Sequence, residues 1–408
     1  MREITNDQLA QLLSELPANP RIVASGNFAT PHTLLQSAAA SIPAFRLFML
    51  NAHPGIPDRD GIEYESPFVG PGMRGSSRLT YIPCRLSLVP VLFRDHHQPN
   101  VVMLNTSMPR GGKVSLGTEV NVLPAAIESV RARGGIVIAQ CNSEMPYTFG
   151  DAEIDESLID YFVSVTEPLA EKPTAALDEV AAQIGETVAT LVADGSTLQL
   201  GIGAIPDSVV SQLTESKGLR IWTEMFSDGV LGLHRAGALE SDAQITASFV
   251  FGSRELYDWV NLNECVHMLR TETTNNPALI SQQRQMTSIN SALQVDLYDQ
   301  ANASHVRGRI YSGFGGSTDF IVGALHAKGG NSIMALPSWH QKANVSTIVP
   351  RITEYVTSFQ HSHVVTEQGV ADCFGHSEKE QAQNLIQRAA HPSAREELLA
   401  AAKAMGLG

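Results

Sequence analysis

Short apolar runs that end at glycine or proline recur along this chain: Arg21-Ile-Val-Ala-Ser25, Val101-Val-Met-Leu104, Ile136-Val-Ile-Ala139, Leu198-Gln-Leu200 and Ser332-Ile-Met-Ala335. Runs of this length between turn signals predict buried strands. Between them lie stretches with a different period. From Ala176 to Leu191 the apolar residues Leu177, Val180, Ala181, Ile184, Val188 and Leu191 fall three or four apart, as on one face of a helix. Strands that alternate with helices predict an α/β protein with mainly parallel sheets.

The two halves of the chain also echo each other. Gly26-Asn-Phe-Ala-Thr-Pro31 has the same form as Gly201-Ile-Gly-Ala-Ile-Pro206. Each is followed by a strand-like run leading to a glycine turn, Leu47 to Gly55 in one half and Ile221 to Gly229 in the other. Later, Gly134-Gly-Ile-Val-Ile-Ala139 answers Gly329-Gly-Asn-Ser-Ile-Met-Ala335. Three matches in the same order predict two open α/β domains of related topology, 1–172 and 173–408. The join is expected near Glu167 to Pro173, where Glu167-Pro168 and Lys172-Pro173 interrupt regular structure. An active site is expected in the crevice of such a protein.

A length of 408 residues agrees with two domains, since one domain commonly takes ~100–200 residues. Hydrophobic residues make up 43% of the chain and charged residues 17%, so enough apolar surface is available to form real cores. The formal charge of -14 opposes binding to a polyanion, and the 28 basic residues form no cluster, so nucleic acid is not an expected partner. An anionic small molecule would have to rely on a local site. Cys84, Cys141, Cys265 and Cys373 lie far apart without a C-x-x-C pair, which fits a reducing cytoplasm better than a disulfide framework or a zinc knuckle. No basic and apolar leader opens the sequence and no run approaches the ~20 apolar residues of a membrane span, so a soluble protein is expected.

Three segments could carry chemistry. Gly201 to Pro206 follows the strand candidate Thr197 to Leu200 and precedes a helix expected near Asp207. Such a turn can bring backbone N–H groups against an anionic atom, though it also serves as a plain connection. Proline stands where a dinucleotide-binding turn needs its third glycine, which disfavours that ligand. In Trp222-Thr-Glu-Met-Phe-Ser-Asp-Gly229, Glu224 ends an apolar run, where a carboxylate can enter a crevice or act as an ordinary capping acid. In Tyr311-Ser-Gly-Phe-Gly-Gly-Ser-Thr-Asp-Phe320, glycines and small hydroxyls precede a helical stretch from Phe320 to Ala327. That loop either binds an oxyanion through its N–H groups or is capped by Ser317, Thr318 or Asp319.

Other chemistries are disfavoured. Gly111-Gly-Lys113 lacks the earlier glycine of a P-loop and is followed by Val114. His96-His97 and His361-Ser-His363 have no third ligand at a metal-site spacing and read as structural or solvated histidines, so no metal is expected. No G-x-S-x-G nucleophile elbow is present.

Taken together, the chain resembles the acetyl-CoA hydrolase and transferase family, of the class I CoA-transferase type, over nearly its whole length. The likeness is carried by Ser66-Pro-Phe-Val-Gly-Pro-Gly-Met-Arg74, Val114-Ser-Leu-Gly117, Gly201 to Pro206, Glu224 to Gly229, Ile289-Asn-Ser-Ala292, Gly315-Gly-Ser-Thr-Asp-Phe320 and Val364-Val-Thr-Glu-Gln-Gly369. The resemblance implies that Glu224 is the nucleophile. It also implies that Gly201, Ile202, Gly203, Ala204, Ile205, Gly315 and Gly316 contact coenzyme A or an oxyanion, and that Asn276 lies near the thioester. One departure is Gln294, in Leu293-Gln-Val-Asp-Leu297, where relatives commonly carry glutamate.

The activity implied is exchange of coenzyme A between an acyl-CoA and a short-chain carboxylate, with coenzyme A as substrate and no permanently bound cofactor. A homo-oligomer in the cytoplasm is the setting the resemblance suggests. An acyl-CoA hydrolase using the same glutamate, and a CoA-binding protein without catalysis, are the alternatives.

Overall fold

In a computed structural model that describes residues 1–172, 178–354, 356 and 360–408, each apolar run named above lies in a parallel strand. The chain divides into two compact units. The first comprises Met1–Lys172, Thr246–Thr274 and Ile310–Gly315; the second comprises Pro173–Ile245, Asn275–Arg309 and Gly316–Gly408. A division falls between Lys172 and Pro173, but a second domain running unbroken over 173–408 is not what the fold has. Two later segments return to the first unit because its loops need their backbone groups. Val120 N–H donates to Ser248 O, Val250 N–H donates to Thr118 O, and Val69 N–H donates to Ser312 O.

The first unit is built on an eight-stranded sheet. Its strands are β1 (Arg2–Glu3), β2 (Arg21–Ala24), β3 (Phe45–Phe48), β4 (Ile62–Ser66), β5 (Leu79–Tyr81), β6 (Val101–Thr106), β7 (Ile136–Asn142) and β8 (Tyr161–Val165), in the spatial order β1-β8-β7-β6-β2-β3-β4-β5. Every pair is parallel. Parallel strands are covered on both faces, which is why β2 and β6 are buried at every position and read as continuous runs. Ile22, Leu34, Leu35, Phe45, Leu47, Tyr64 and Met103 are among the residues that form the core, with helix α1 (Asn6–Ser14) and helix α2 (His32–Ser41) contributing Leu9, Leu13 and Ala38.

The second unit contains β9 (Thr197–Leu200), β10 (Arg220–Trp222), β11 (Thr287–Ser291), β12 (Asn331–Ala335), β13 (His363–Thr366) and β14 (Gly369–Asp372), in the order β14-β13-β12-β11-β9-β10. Only the β13–β14 hairpin is antiparallel among these pairs. Register puts Leu198 beside both Ile221 and Thr287, and Ile289 beside both Leu200 and Ile333. Taken in chain order, β9 to β13 are arranged as 2-1-3-4-5, and so are β2, β3, β6, β7 and β8. This is the repeat that the sequence matches foreshadow. In such an order, ligands gather at the carboxyl ends of the strands where the winding reverses. In the second unit the reversal lies between β9 and β11, where Gly201 follows Leu200.

Helix α3 (Glu179–Ala189) starts after Asp178, whose side chain accepts from Val180 N–H and Ala181 N–H. Residues 173–177, which include Ala176 and Leu177 of the expected helix, lie outside the described residues. Helix α4 (Ala204–Gln212) begins three residues earlier than expected. Pro206 therefore sits in its first turn, where a missing N–H costs nothing. Helix α5 (Asp228–Ala236) absorbs the supposed glycine turn: Gly229 is helical, and a Cβ there would meet Val210 Cγ1 at 2.8 Å. The glycine allows α5 to pack closely on α4. No helix among the described residues is long and apolar enough to cross a membrane.

Candidate active site

The glycine turn after β9 is shorter than its sequence suggests. Gly201 and Ile202 leave the strand, Gly203 is the N-cap of α4, and Ala204, Ile205 and Pro206 are already helical. Gly203 has φ 122°, a conformation open to glycine and strained for other residues, and no atom lies within 4 Å of where its Cβ would stand. No side chain caps this helix, so the first-turn amides of Ala204 and Ile205 lack an intrahelical acceptor. Ile202 is 45% exposed beside them.

Helix α6 (Ser317–His326) repeats the arrangement. Its N-cap is Gly316, again without a side-chain cap, and Ser317, Thr318 and Asp319 lie within its first turn rather than before it. The expected helix from Phe320 thus starts three residues early. Its apolar residues Phe320 and Ala324 pack with Ile280 and Met286. Gly323 lets Ile280 approach the helix, since a Cβ at Gly323 would overlap that side chain. The short helix Pro277–Ile280 is therefore pressed against α6, and the residue just before its cap, Asn275, is carried to the N-terminus of α6.

Glu224 meets this N-terminus. Asn275 Nδ2 donates to Glu224 Oε2 at 2.8 Å, and a Cβ at Gly316 would overlap both Glu224 Oε2 and Asn275 Nδ2. Glu224 as a whole residue is partly buried. Its desolvation raises the pKa to about 7; the Asn275 donor opposes the rise and the nearby Asp319 carboxylate adds to it. Near neutral pH the group is thus divided between its protonated and its ionised forms. It faces a helix end with partial positive charge.

Asn276 is a helix cap, its side chain accepting from Ala278 N–H at 3.0 Å, so its neighbour Asn275 is the asparagine that touches the carboxylate. Sequence spacing could not choose between adjacent asparagines. Asp228 is the first residue of α5 and lies in no glycine turn. Gly315 belongs to the first unit, has φ 58°, and accepts at its carbonyl from Leu86 N–H at 2.9 Å. Within that unit Gly313 bridges to Phe68, and Arg74 Nε donates to Tyr311 O at 2.7 Å, which joins the Ser66–Arg74 motif to the residues just before Gly315. Gln294 is half-buried in the strand Gln294–Asp296 and lines a cavity of about 420 Å³ with His305, Arg307 and His340. Glu224 is not part of that lining.

His361 is fully buried with its Nδ1 2.6 Å from Asp299 Oδ1, and His363 Nδ1 lies 2.9 Å from Asp372 Oδ1. Both are tied into the fold. Among the described residues no group of three or more His, Cys, Asp or Glu could hold a metal ion. All four cysteines are free thiols. Sequence reasoning missed Asn275, Asp319 and Thr223. Asp319 and Thr223 lay inside quoted segments and Asn275 beside Asn276, but none had a local signal of a contact or bond near Glu224.

Residues 252–402 match the family model of the acetyl-CoA hydrolase/transferase C-terminal domain. The chain is 40% identical over 336 residues to the 4-hydroxybutyrate coenzyme A transferase of Clostridium kluyveri, covering 79% of this chain and 77% of that one. It is 36% identical over 403 residues to a succinyl-CoA:acetate/propanoyl-CoA:succinate CoA transferase of Fasciola hepatica, covering 92% and 83%. Among solved structures, RipA from Yersinia pestis superposes with a TM-score of 0.90 at 28% identity, covering 100% of this chain and 98% of that one.

Proposed function

The chain belongs to the acetyl-CoA hydrolase/transferase family, and from that premise we propose that it moves coenzyme A from an acyl-CoA to a short-chain carboxylate through Glu224. One observation carries the reading: the Glu224 carboxyl faces the glycine-started N-terminus of α6 so closely that no side chain fits at Gly316.

The chemistry runs in balanced steps. Ionised Glu224 attacks the acyl carbonyl of the thioester; the C–S bond breaks, leaving an acyl-glutamyl anhydride and free CoA thiolate. The thiolate then attacks the glutamyl carbonyl, forming a glutamyl-CoA thioester and releasing the first acid as carboxylate. A second carboxylate reverses both steps and leaves as its CoA ester. Each exchange keeps the free energy of the thioester and predicts ping-pong kinetics.

Every addition places a negative charge on a former carbonyl oxygen. The first-turn amides of α6, with those of Ala204 and Ile205, are the donors we assign to that charge, and each such donor contributes ~3–4 kcal/mol. Gly201, Ile202 and Gly203 give the backbone its close approach to the coenzyme, and Gly316 does the same at the start of α6. Asn275 orients the nucleophile. The raised pKa keeps a carboxylate poised rather than held inert by strong pairing. Resolution of the same intermediate by water would make a hydrolase, and the two differ in how well the closed site excludes water.

The test is incubation with acetyl-CoA and a panel of acetate, propionate, butyrate, succinate and 4-hydroxybutyrate, followed by borohydride trapping and peptide mass analysis. Acid-dependent formation of a new acyl-CoA with a reduced Glu224 is expected. Release of CoA that is equal with and without added acid indicates the hydrolase, and an adduct on another residue refutes the role of Glu224.

A further inference from the structure

We propose that Thr223 is a positioning residue for Glu224: one hydroxyl ties the glycine turn after β9 to the backbone kink that carries the carboxylate. The inference rests on reading Glu224 as the nucleophile.

The ladder between β9 and β10 pairs Thr197 with Arg220 and Leu198 with Ile221. Strand β10 then ends at Trp222, and the next strand residues are Met225–Phe226, so Thr223 and Glu224 stand outside the regular pairing. Strand β9 runs on to Leu200, which is 5% exposed, and its N–H needs an acceptor that the departing strand no longer supplies through its backbone. The side chain of Thr223 supplies it. Leu200 N–H donates to Thr223 Oγ1 at 3.1 Å, and the same hydroxyl donates to Met225 O at 2.8 Å. Leu200 O lies 3.3 Å away as a second acceptor.

The placement of these partners gives the bridge its effect. Leu200 immediately precedes Gly201, and Met225 immediately follows Glu224. A single oxygen atom thus sets the spacing between the turn that presents backbone amides and the residue that attacks. The bond to Met225 O also closes a three-residue kink that contains Glu224. Thr223 itself has no exposed surface, so it takes no part in contact with solvent. Only a hydroxyl accepts from one backbone group while donating to another; valine has the same shape and does neither. A shift of about 1 Å at a reacting group costs on the order of 100-fold in rate.

The experiment compares Thr223→Val and Thr223→Ser with the wild-type enzyme, using acetyl-CoA and the best acceptor of the carboxylate panel. The valine variant is expected to lose at least about 10-fold in kcat while KM for acetyl-CoA changes by less than about 3-fold. Serine, which keeps the bridge, is expected to retain more than about a third of kcat. A valine variant that turns over within about twofold of wild type overturns the proposal, as does a serine variant that falls as far as valine. Should valine prevent folding, Thr223→Ala leaves room for a water beside Leu200 N–H while releasing Met225 O. Its kcat is expected to drop in the same way, and unchanged kcat there also overturns the proposal. Borohydride trapping of the wild type separates the two readings: an adduct away from Glu224 removes the premise, whereas an adduct on Glu224 with an active valine variant removes this inference alone.

Discussion

Replacing the Glu224 carboxyl by an amide is expected to make the protein more stable above neutral pH, even as it abolishes exchange. The carboxyl has its pKa raised from 4.5 to about 7, chiefly by desolvation. Below pH 4.5 the folded and unfolded forms both carry the proton, and the group has no effect on the balance. As pH rises from 4.5 to about 7 the unfolded chain releases its proton while the folded chain keeps it, so native stability falls. Above that range both forms are ionised and the full penalty is present. Each pKa unit corresponds to about 1.4 kcal/mol, so the penalty reaches at most about 3.5 kcal/mol. Glu224→Gln removes the titration and keeps an acceptor for Asn275 Nδ2. For 408 residues melting as one transition, the gain amounts to about 4 °C, and it is larger if the second unit melts on its own. The assay is calorimetry of both proteins from pH 4 to 8.5. The difference in midpoint should grow with pH and level off above about 7. A difference that stays constant across this range, or a variant less stable than wild type at pH 8.5, refutes the view that this carboxylate is held at a cost to the fold.

On the proposal that ionised Glu224 is the attacking group, the exchange rate should rise with pH through about 7; a profile flat from pH 5.5 to 8.5 in kcat/KM for acetyl-CoA contradicts this. Asp319→Asn should move that rise to lower pH, and Asn275→Ala should move it to higher pH with a loss of about 10-fold or more in kcat, since one change removes a repelling charge and the other a donor. Gly316→Ala is expected to lower kcat by at least about 100-fold through overlap with the carboxylate, measured alongside far-UV circular dichroism to show that the fold persists. In the first unit, Arg21 Nε and Glu65 Oε2 form a buried pair at 2.6 Å, so Arg21→Met should destabilise by ~3–5 kcal/mol in chemical unfolding by leaving Glu65 buried without its charge partner.

Much of the architecture could be read before any coordinates. Buried parallel strands need apolar side chains on both faces, and that demand is local, so β2, β6, β7, β9 and β12 stand out in the sequence. The paired matches around Gly26 and Gly201, and around Gly134 and Gly329, declared the repeat because glycine is required where the backbone takes φ of 71° at Gly134 and 68° at Gly329. Glu224 and Gly316 were also legible, through their motifs. What tertiary structure alone decided is which atoms meet. The strand order that puts Gly201 at the reversal of winding, the return of Thr246–Thr274 and Ile310–Gly315 to the first unit, and the choice of Asn275 over Asn276 all depend on contacts between distant segments. The early starts of α4 and α6, and the helical setting of Gly229, follow from packing that no turn signal reports. Composition and period specify what a segment must bury. Only the assembled chain decides what it is buried against, and the setting of Glu224 against Gly316 and Asn275 arises there.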